Sequence, residues 1–318
     1  MNDLALGALG FGGANLGNLF TAMSDEQAHA VLEQAWECGI RYFDTAPHYG
    51  LGVAERRLGA FLAGKPREEF VISTKAGRLL RPSPETSDEW DEEGGFVVPA
   101  DRRRVWDVSP DGVRRSLDES LERLGLDRVD VLFLHDPDEY DDMEGSVRAA
   151  VPGLVALRDE GLVRAVGIGS KSVAAHLAGV REGGLDLLMV AGRYTLLEQP
   201  AAAELLPECR ERGVGVVVAG AFNSGLLSTP HPADGAHYEY GDAPAEVIAR
   251  AERLAAVCAE HGVELPAAAL QFPLREPAVR SVVLGATEPA HVRQNVARAA
   301  VPIPAELWEH LTAQGLLP

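Results

Sequence analysis

Four polar side chains carry the chemistry open to this sequence: Asp44 and Tyr49 in RYFDTAPHYG, Lys75 ending FVISTK, and His135 ending VDVLFLH. A tyrosine hydroxyl has an ordinary pKa of about 10 and relays protons poorly near neutrality. A lysine ammonium beside it favours tyrosinate, and an aspartate paired with that lysine holds it in place. A histidine nearby can donate a hydrogen bond to a substrate oxygen and polarise its carbon–oxygen bond, so that a hydride moves to or from the carbon. Taken singly, each residue has a structural account: a capping aspartate, a pocket-wall tyrosine, a solvated lysine, a satisfied core histidine. Their shared placement at or just beyond the ends of consecutive apolar runs argues for a joint role.

Those apolar runs alternate with longer amphipathic ones, as expected for parallel strands covered by helices. The pattern predicts strands over residues 6–10, 40–44, 70–75, 129–135, 163–169, 185–190, 214–219 and 279–284, a count that suits a closed (β/α)8 TIM barrel. In SPDGVRRSLDESLERLG, Ser109 can cap, Pro110 can take the first turn, Val113, Leu117, Leu121 and Leu124 share one face, and Gly125 offers a stop. Ser24 and Gly39 bracket SDEQAHAVLEQAWECG in the same way. Two stretches, residues 78–107 and 228–243, interrupt the alternation with Pro82, Pro84, Gly94, Gly95, Pro230, Pro232, Gly235 and Gly241. Each follows a barrel strand and reads as a large loop, a candidate lid at the C-terminal rim.

Composition bounds the function. Hydrophobic residues make up 46% and charged residues 24%, enough apolar material for a sizeable core. A formal net charge of −19 disfavours nucleic acid and acidic membranes as partners, while leaving room for a local basic pocket around a phosphorylated cofactor. Cys38, Cys209 and Cys258 have no CxxC or metal-ligand spacing and read as small buried side chains in a reducing compartment. No basic leader and no run of about 20 apolar residues is present, so a cytoplasmic location without a membrane span is expected. LGALGFGGANLGN lacks the GxGxxG fingerprint, and no linker divides the chain, so residues 1–318 read as one barrel domain.

With RYFDTAPHYG, the following ERRLG, VISTK, VDVLFLHDPD, GLVRAVGIGSK and SVVLGATEPAHVRQNV in view, nearly the whole chain resembles the aldo-keto reductase superfamily. The resemblance implies a TIM-type barrel with an extended NAD(P) cofactor at its rim. It carries that family's catalytic tetrad onto Asp44, Tyr49, Lys75 and His135. Tyr49 would donate a proton in carbonyl reduction and accept one in oxidation. Gly12 and Gly13 can admit a flat ring, and the segment AGAFNSGLL offers Phe222, Ser224, Gly225 and Leu227 to the cofactor. Further cofactor candidates are Asp44, Ser170, Gly285, Ala286, His291, Gln294 and Asn295. The chain departs from common family patterns at Gly169–Ser170, where many members have Ser-Asn, and around Ala191, where a Gln is usual. Gly285 and His291 stand where NADP-preferring relatives carry Lys and Arg, which favours NAD, while Arg293 leaves NADP open.

The wording of RYFDTAPHYGLGVAERRLG, VAGRYTLLEQP and GAFNSGLL is similar to aldose dehydrogenases of the L-fucose and D-threo-aldose type. That resemblance implies oxidation of an L-fucose- or D-arabinose-like pyranose at its anomeric carbon to a lactone. Pyridoxal dehydrogenases, whose substrate forms an internal hemiacetal, are the narrow alternative and aldehyde or ketone reduction the broad one. A reductase-like interaction subunit and a sugar-phosphate isomerase barrel are rivals of other classes. Substrate-binding candidates are His48, Tyr49, Trp90, Trp106, His135 and Arg193, with Phe222 and Tyr240 also on rim segments and Tyr194 divided between site and core. The expected partner is a small-molecule sugar or aldehyde, and oligomeric state stays open.

Overall fold

Several apolar runs are hydrophobic at odd and even positions alike, so strands built from them must be covered on both faces. In this computed structural model, which describes residues 4–232, 237–239 and 241–318, eight parallel strands among the described residues close into a barrel in chain order. They are β1 (Leu9–Gly12), β2 (Tyr42–Asp44), β3 (Val71–Ala76), β4 (Val131–His135), β5 (Ala165–Ser170), β6 (Leu187–Ala191), β7 (Gly215–Ala219) and β8 (Val279–Leu284). Successive side chains alternate between faces. Tyr42, Val71, Val131, Phe133, Leu187, Met189, Val217 and Val283 fill the interior. Phe43, Ile72, Leu132 and Leu134, their chain neighbours, pack in the outer layer under the helices.

The apolar pattern places the first strand at 6–10, but β1 starts at Leu9. Gly7 turns the chain with φ 71°, and Leu6, backed by Leu4, joins the interior cluster instead of the ladder. β2 to β7 begin one or two residues later than their apolar runs, and β8 coincides with its run. Helix α1 (Asp25–Glu37) opens on a reciprocal cap: Gln27 N donates to Ser24 Oγ, and Ser24 N donates to Gln27 Oε1. Between β3 and β4, helix α3 (Pro110–Leu124) is capped by Ser109, buries Val113, Leu117 and Leu124, and ends at Gly125 with φ 64°.

The expected loop over 78–107 is folded. Arg78–Pro82 pairs antiparallel with Arg102–Trp106, and Trp90–Asp91 pairs with Phe96–Pro99. Phe96 and Val98 bury themselves against Leu51 and Leu80. This apolar cluster gives the excursion its own core and seats it beside the turn that carries Tyr49, which packs against the same cluster. In the second excursion His237–Tyr238 pairs with Gly241–Asp242, while Gly235 and Tyr240 lie outside the described residues.

Candidate active site

Barrel register gathers the polar residues. Asp44 lies opposite Gly12 on one side and Ser73 on the other, and His135 lies opposite Gly169. Asp44, Lys75 and His135 have the parity of the interior residues Tyr42, Val71 and Phe133, so all three project from the C-terminal ends of their strands into the barrel mouth. Lys75 Nζ donates to Asp44 Oδ2 at 2.6 Å and to Thr45 O at 2.9 Å. Ser73 Oγ donates to Asp44 Oδ1 at 2.7 Å, and the Tyr42 hydroxyl lies 3.0 Å from Ser73 Oγ. Asp44 is thus held through both oxygens and is buried together with Lys75. Tyr49 comes from the turn after β2; the Lys75 ammonium sits 4.7 Å from its ring centroid.

Three rings meet at this mouth. The His135 centroid is 5.8 Å from Tyr49 and 5.5 Å from His48, and His48 and Tyr49 are 6.1 Å apart. Burial, reinforced by Arg78 and Lys75, holds His135 well below the ordinary histidine range. His48 is lowered to about 2 by burial and by Arg78, Arg104 and Lys75. Both imidazoles are therefore neutral hydrogen-bonding groups near pH 7. For Lys75, burial opposes the charge, but Asp44 and Tyr49 outweigh it and keep the ammonium protonated. Lys75 lowers the work of ionising Tyr49, as the sequence argues, but it is not the largest influence on that hydroxyl. Burial dominates and raises Tyr49 to about 12, with the charge and hydrogen bond of Lys75 only offsetting it.

Several residues here were not singled out by the sequence. Arg78, buried two residues beyond the end of β3, pairs with Asp136 at 2.5 Å and Glu139 at 3.0 Å, and lies 4.3 Å over the Trp106 ring. Asp136 takes φ 41°, and its Oδ2 lies 3.3 Å from His135 Nε2. Burial raises its carboxyl to about 6 against the pull of Arg78. Arg104 donates from Nε to His48 Nδ1 at 2.5 Å and reaches Asp91 through both terminal nitrogens at 2.7 and 2.6 Å. The available signals were KAGR and HDPD, which flank the strand-end lysine and histidine, and the alternation of RRRVW, which puts Arg104 and Trp106 on one strand face.

Other expected contacts divide. Trp106 lines the site region, stacked edge-on with Tyr140 at 4.4 Å and over Arg78. Trp90 stands 59% exposed on the Trp90–Asp91 strand of the second hairpin pair, with no ring contact to the site residues among those described. Arg193 is engaged elsewhere: Nη1 pairs with Glu239 at 2.8 Å and Nε donates to Lys171 O. Tyr194 is core, 5.1 Å from Phe272. Leu227 is fully buried and gives its N–H to Phe222 O. Ser170 Oγ donates to Asp138 and accepts from Ser172 N, which occupies the hydroxyl expected to face the cofactor. Gly13 serves close packing, because a Cβ there would stand 2.7 Å from Asp44 O; Gly12 is less confined, with Val283 Cγ1 at 3.1 Å from where its Cβ would stand. Ala286 and Asn295 turn inward around a small cavity with Leu9, Phe11, Ile40 and Val292, whereas Gln294 and His291 are exposed on helix α9 (Pro289–Ala299). Arg293 is drawn away to Gln34 of α1.

An extended polar cofactor needs unpartnered polar atoms and approachable backbone. Thr45 Oγ1, His135 Nδ1 and Asn223 Oδ1 are buried without hydrogen-bond partners among the described residues. Past β6 and β7, Gly192 and Gly225 have only Glu239 Oε1 at 3.9 Å and Ser228 Oγ at 3.8 Å near where a Cβ would stand. Ser224 and half-buried Phe222 adjoin Gly225 on the same rim. The residues present fit such a group.

A profile of the aldo/keto reductase family matches residues 8–314. The chain belongs to the aldo/keto reductase family. It is 56% identical to a D-threo-aldose 1-dehydrogenase of a Pseudomonas species, over 99% of this chain and 96% of the relative. It is 41% identical to a pyridoxal 4-dehydrogenase of Microbacterium luteolum, over 99% and 95%. A solved aldo-keto reductase of Bacillus halodurans in its holo form superposes with a TM-score of 0.77 at 25% identity, covering all of this chain and 94% of that one. This aldo/keto reductase is an NAD(P)-dependent oxidoreductase acting on a small molecule. No helix among the described residues is long and apolar enough to cross a membrane.

Proposed function

We propose that this aldo/keto reductase is an aldose 1-dehydrogenase that oxidises the anomeric carbon of an L-fucose- or D-arabinose-like pyranose to its lactone. The observation that carries the reading is the buried Asp44–Lys75 pair under the Tyr49 ring, with two neutral histidines facing the same mouth. Similarity to the D-threo-aldose 1-dehydrogenase directs that machinery to a sugar hemiacetal. A bound nicotinamide would supply the acceptor for the hydride that leaves the anomeric carbon. Tyr49 accepts the proton of the anomeric hydroxyl, and Lys75, held by Asp44, favours the tyrosinate that does so. His135, kept neutral, orients the substrate oxygen. Phe222, Ser224 and Gly225 would hold the cofactor along the β7 rim, and Gln294 and His291 would meet its far end. NAD is preferred because Gly285 and His291 supply no fixed cation for an additional phosphate.

Oxidation of pyridoxal is the second reading, favoured by 41% identity to the Microbacterium enzyme. NADH formation measured with L-fucose, D-arabinose, D-galactose and pyridoxal, beside NADH and NADPH consumption with simple aldehydes, separates these. Turnover of at least one aldose supports the proposal. Pyridoxal oxidation without aldose turnover selects the second reading, and aldehyde reduction alone rejects lactone formation.

A further inference from the structure

His48 is held in a way that decides where its proton sits. Its Nδ1 receives the Arg104 Nε–H at 2.5 Å and lies 3.3 Å from Arg78 Nη1. A guanidinium has donors and no acceptor, so Nδ1 must offer its lone pair. A neutral imidazole whose Nδ1 accepts carries its hydrogen on Nε2. Nε2 makes no hydrogen bond to another described residue, and the ring adjoins those of Phe96 at 5.3 Å, His135 at 5.5 Å and Tyr49 at 6.1 Å.

Arg104 is itself immobilised. Asp91 takes two of its hydrogen bonds, and Nη2 also donates to His48 O at 3.1 Å. Both side chains are at least nine-tenths buried. Gly94 makes the space: a Cβ at that position would stand 2.4 Å from Arg104 Nη2 and 2.6 Å from Asp91 Oδ2. The hairpin excursion therefore contributes a fixed device to the barrel mouth. The charged or titratable groups facing His48 are Arg104 and Asp91 from the hairpins, Arg78 beyond β3, Lys75 from β3, Tyr49 from its own turn and His135 from β4.

We propose that Arg104, clamped by Asp91, is a positioning residue that locks His48 as an Nε2–H donor to a second substrate oxygen, adjacent to the C–O bond being oxidised. A cyclic hemiacetal has such an oxygen in its ring and commonly another on the next carbon; a simple aldehyde has neither. The clamp thus makes this site selective for substrates with two neighbouring oxygens. The inference deepens the hemiacetal reading above and rests on it for the identity of the second oxygen.

Two measurements test it. In the first, the whole enzyme labelled with 15N-histidine is examined by long-range 1H–15N NMR, with His48 assigned by the signal lost in His48→Gln. An Nε2–H tautomer with no titration from pH 5 to 9 is expected; an Nδ1–H tautomer, or titration in that interval, overturns the proposal whatever the substrate proves to be. In the second, Arg104→Met and the charge-balanced Arg104→Met/Asp91→Asn are compared with wild type for oxidation of the preferred hemiacetal and reduction of benzaldehyde. The variants should lower kcat/KM for the hemiacetal about tenfold, the worth of one hydrogen bond, and change benzaldehyde reduction less than about threefold. Equal losses on both substrates, or none, overturn the selectivity role. Should wild type oxidise no hemiacetal, the functional reading fails and the selectivity claim with it, while the NMR result still decides the tautomer lock.

Discussion

Tyr49 shows how one residue's setting governs the direction of its chemistry. Burial raises its hydroxyl to about 12, and Lys75 works against that rise. As proton acceptor in oxidation, Tyr49 must be ionised; as donor in reduction, it must be protonated. Oxidative kcat/KM should therefore climb through the alkaline range, whereas reduction should hold until high pH. Pre-steady-state or kcat/KM profiles in both directions check this, and an oxidative profile flat from pH 7 to 10 contradicts it. Lys75→Met should displace the oxidative limb to still higher pH, since it removes the group that lowers Tyr49. Tyr49→Phe deletes the hydroxyl and keeps the ring. Turnover should fall by about 10²–10⁴-fold with cofactor affinity nearly unchanged, as read by fluorescence titration beside kinetics. Near-normal turnover would remove Tyr49 from the reaction.

At the scale of elements, the site depends on how firmly helix α2 (Val53–Leu62), which follows the Tyr49 turn, is pinned to its neighbours. Glu55 on α2 is fully buried and accepts from Thr74 Oγ1 of β3 at 2.7 Å and from Arg123 Nε of α3 at 2.6 Å. Replacing Arg123 with Met would leave that carboxylate without its cation. Such a loss costs about 3–5 kcal/mol, so chemical denaturation should show a markedly lower midpoint. Gly59, one turn further along α2, permits contact with the end of α3: a Cβ would stand 2.0 Å from Leu124 O. Gly59→Ala should destabilise by about 1–3 kcal/mol through that backbone clash. An unchanged denaturation midpoint would mean the two helices can part without loss.

Across the whole molecule, cofactor choice depends on the far rim, where Gly285 follows β8 and His291 lies exposed on α9. Native enzyme should use NAD better than NADP, with both titrated under the same conditions. Introducing cations at these positions should shift the ratio toward NADP by about tenfold, as expected for partly exposed charge-assisted contacts. Structure alters the design. A Cβ at Gly285 would stand 2.4 Å from Asn15 Oδ1, so Gly285→Lys requires the Asn15 amide to swing aside, whereas His291→Arg starts from an exposed position. His291→Arg alone should therefore move the ratio first. A native preference for NADP would reject the cation argument altogether.

The sequence by itself was enough for the barrel and for the four polar residues at its mouth. Strand alternation, Ser24 and Ser109 as caps, Gly125 as a stop and the strand-end positions of Asp44, Lys75 and His135 are local patterns, each carried within a few residues. Tertiary structure decided what depends on residues distant along the chain. Folding of the 78–107 excursion into paired strands sends Trp90 outward and brings Arg104 to His48, 56 positions away in sequence. Ser170 loses its free hydroxyl to Asp138, 32 positions back, and Arg193 turns to Glu239, 46 positions on. The rise in Tyr49 is likewise a sum over everything that buries it, which outweighs the one lysine that the sequence places beside it. Hydrogen-bond partners and desolvation are properties of the assembled barrel mouth, so they become readable only once strands and hairpins have closed around it.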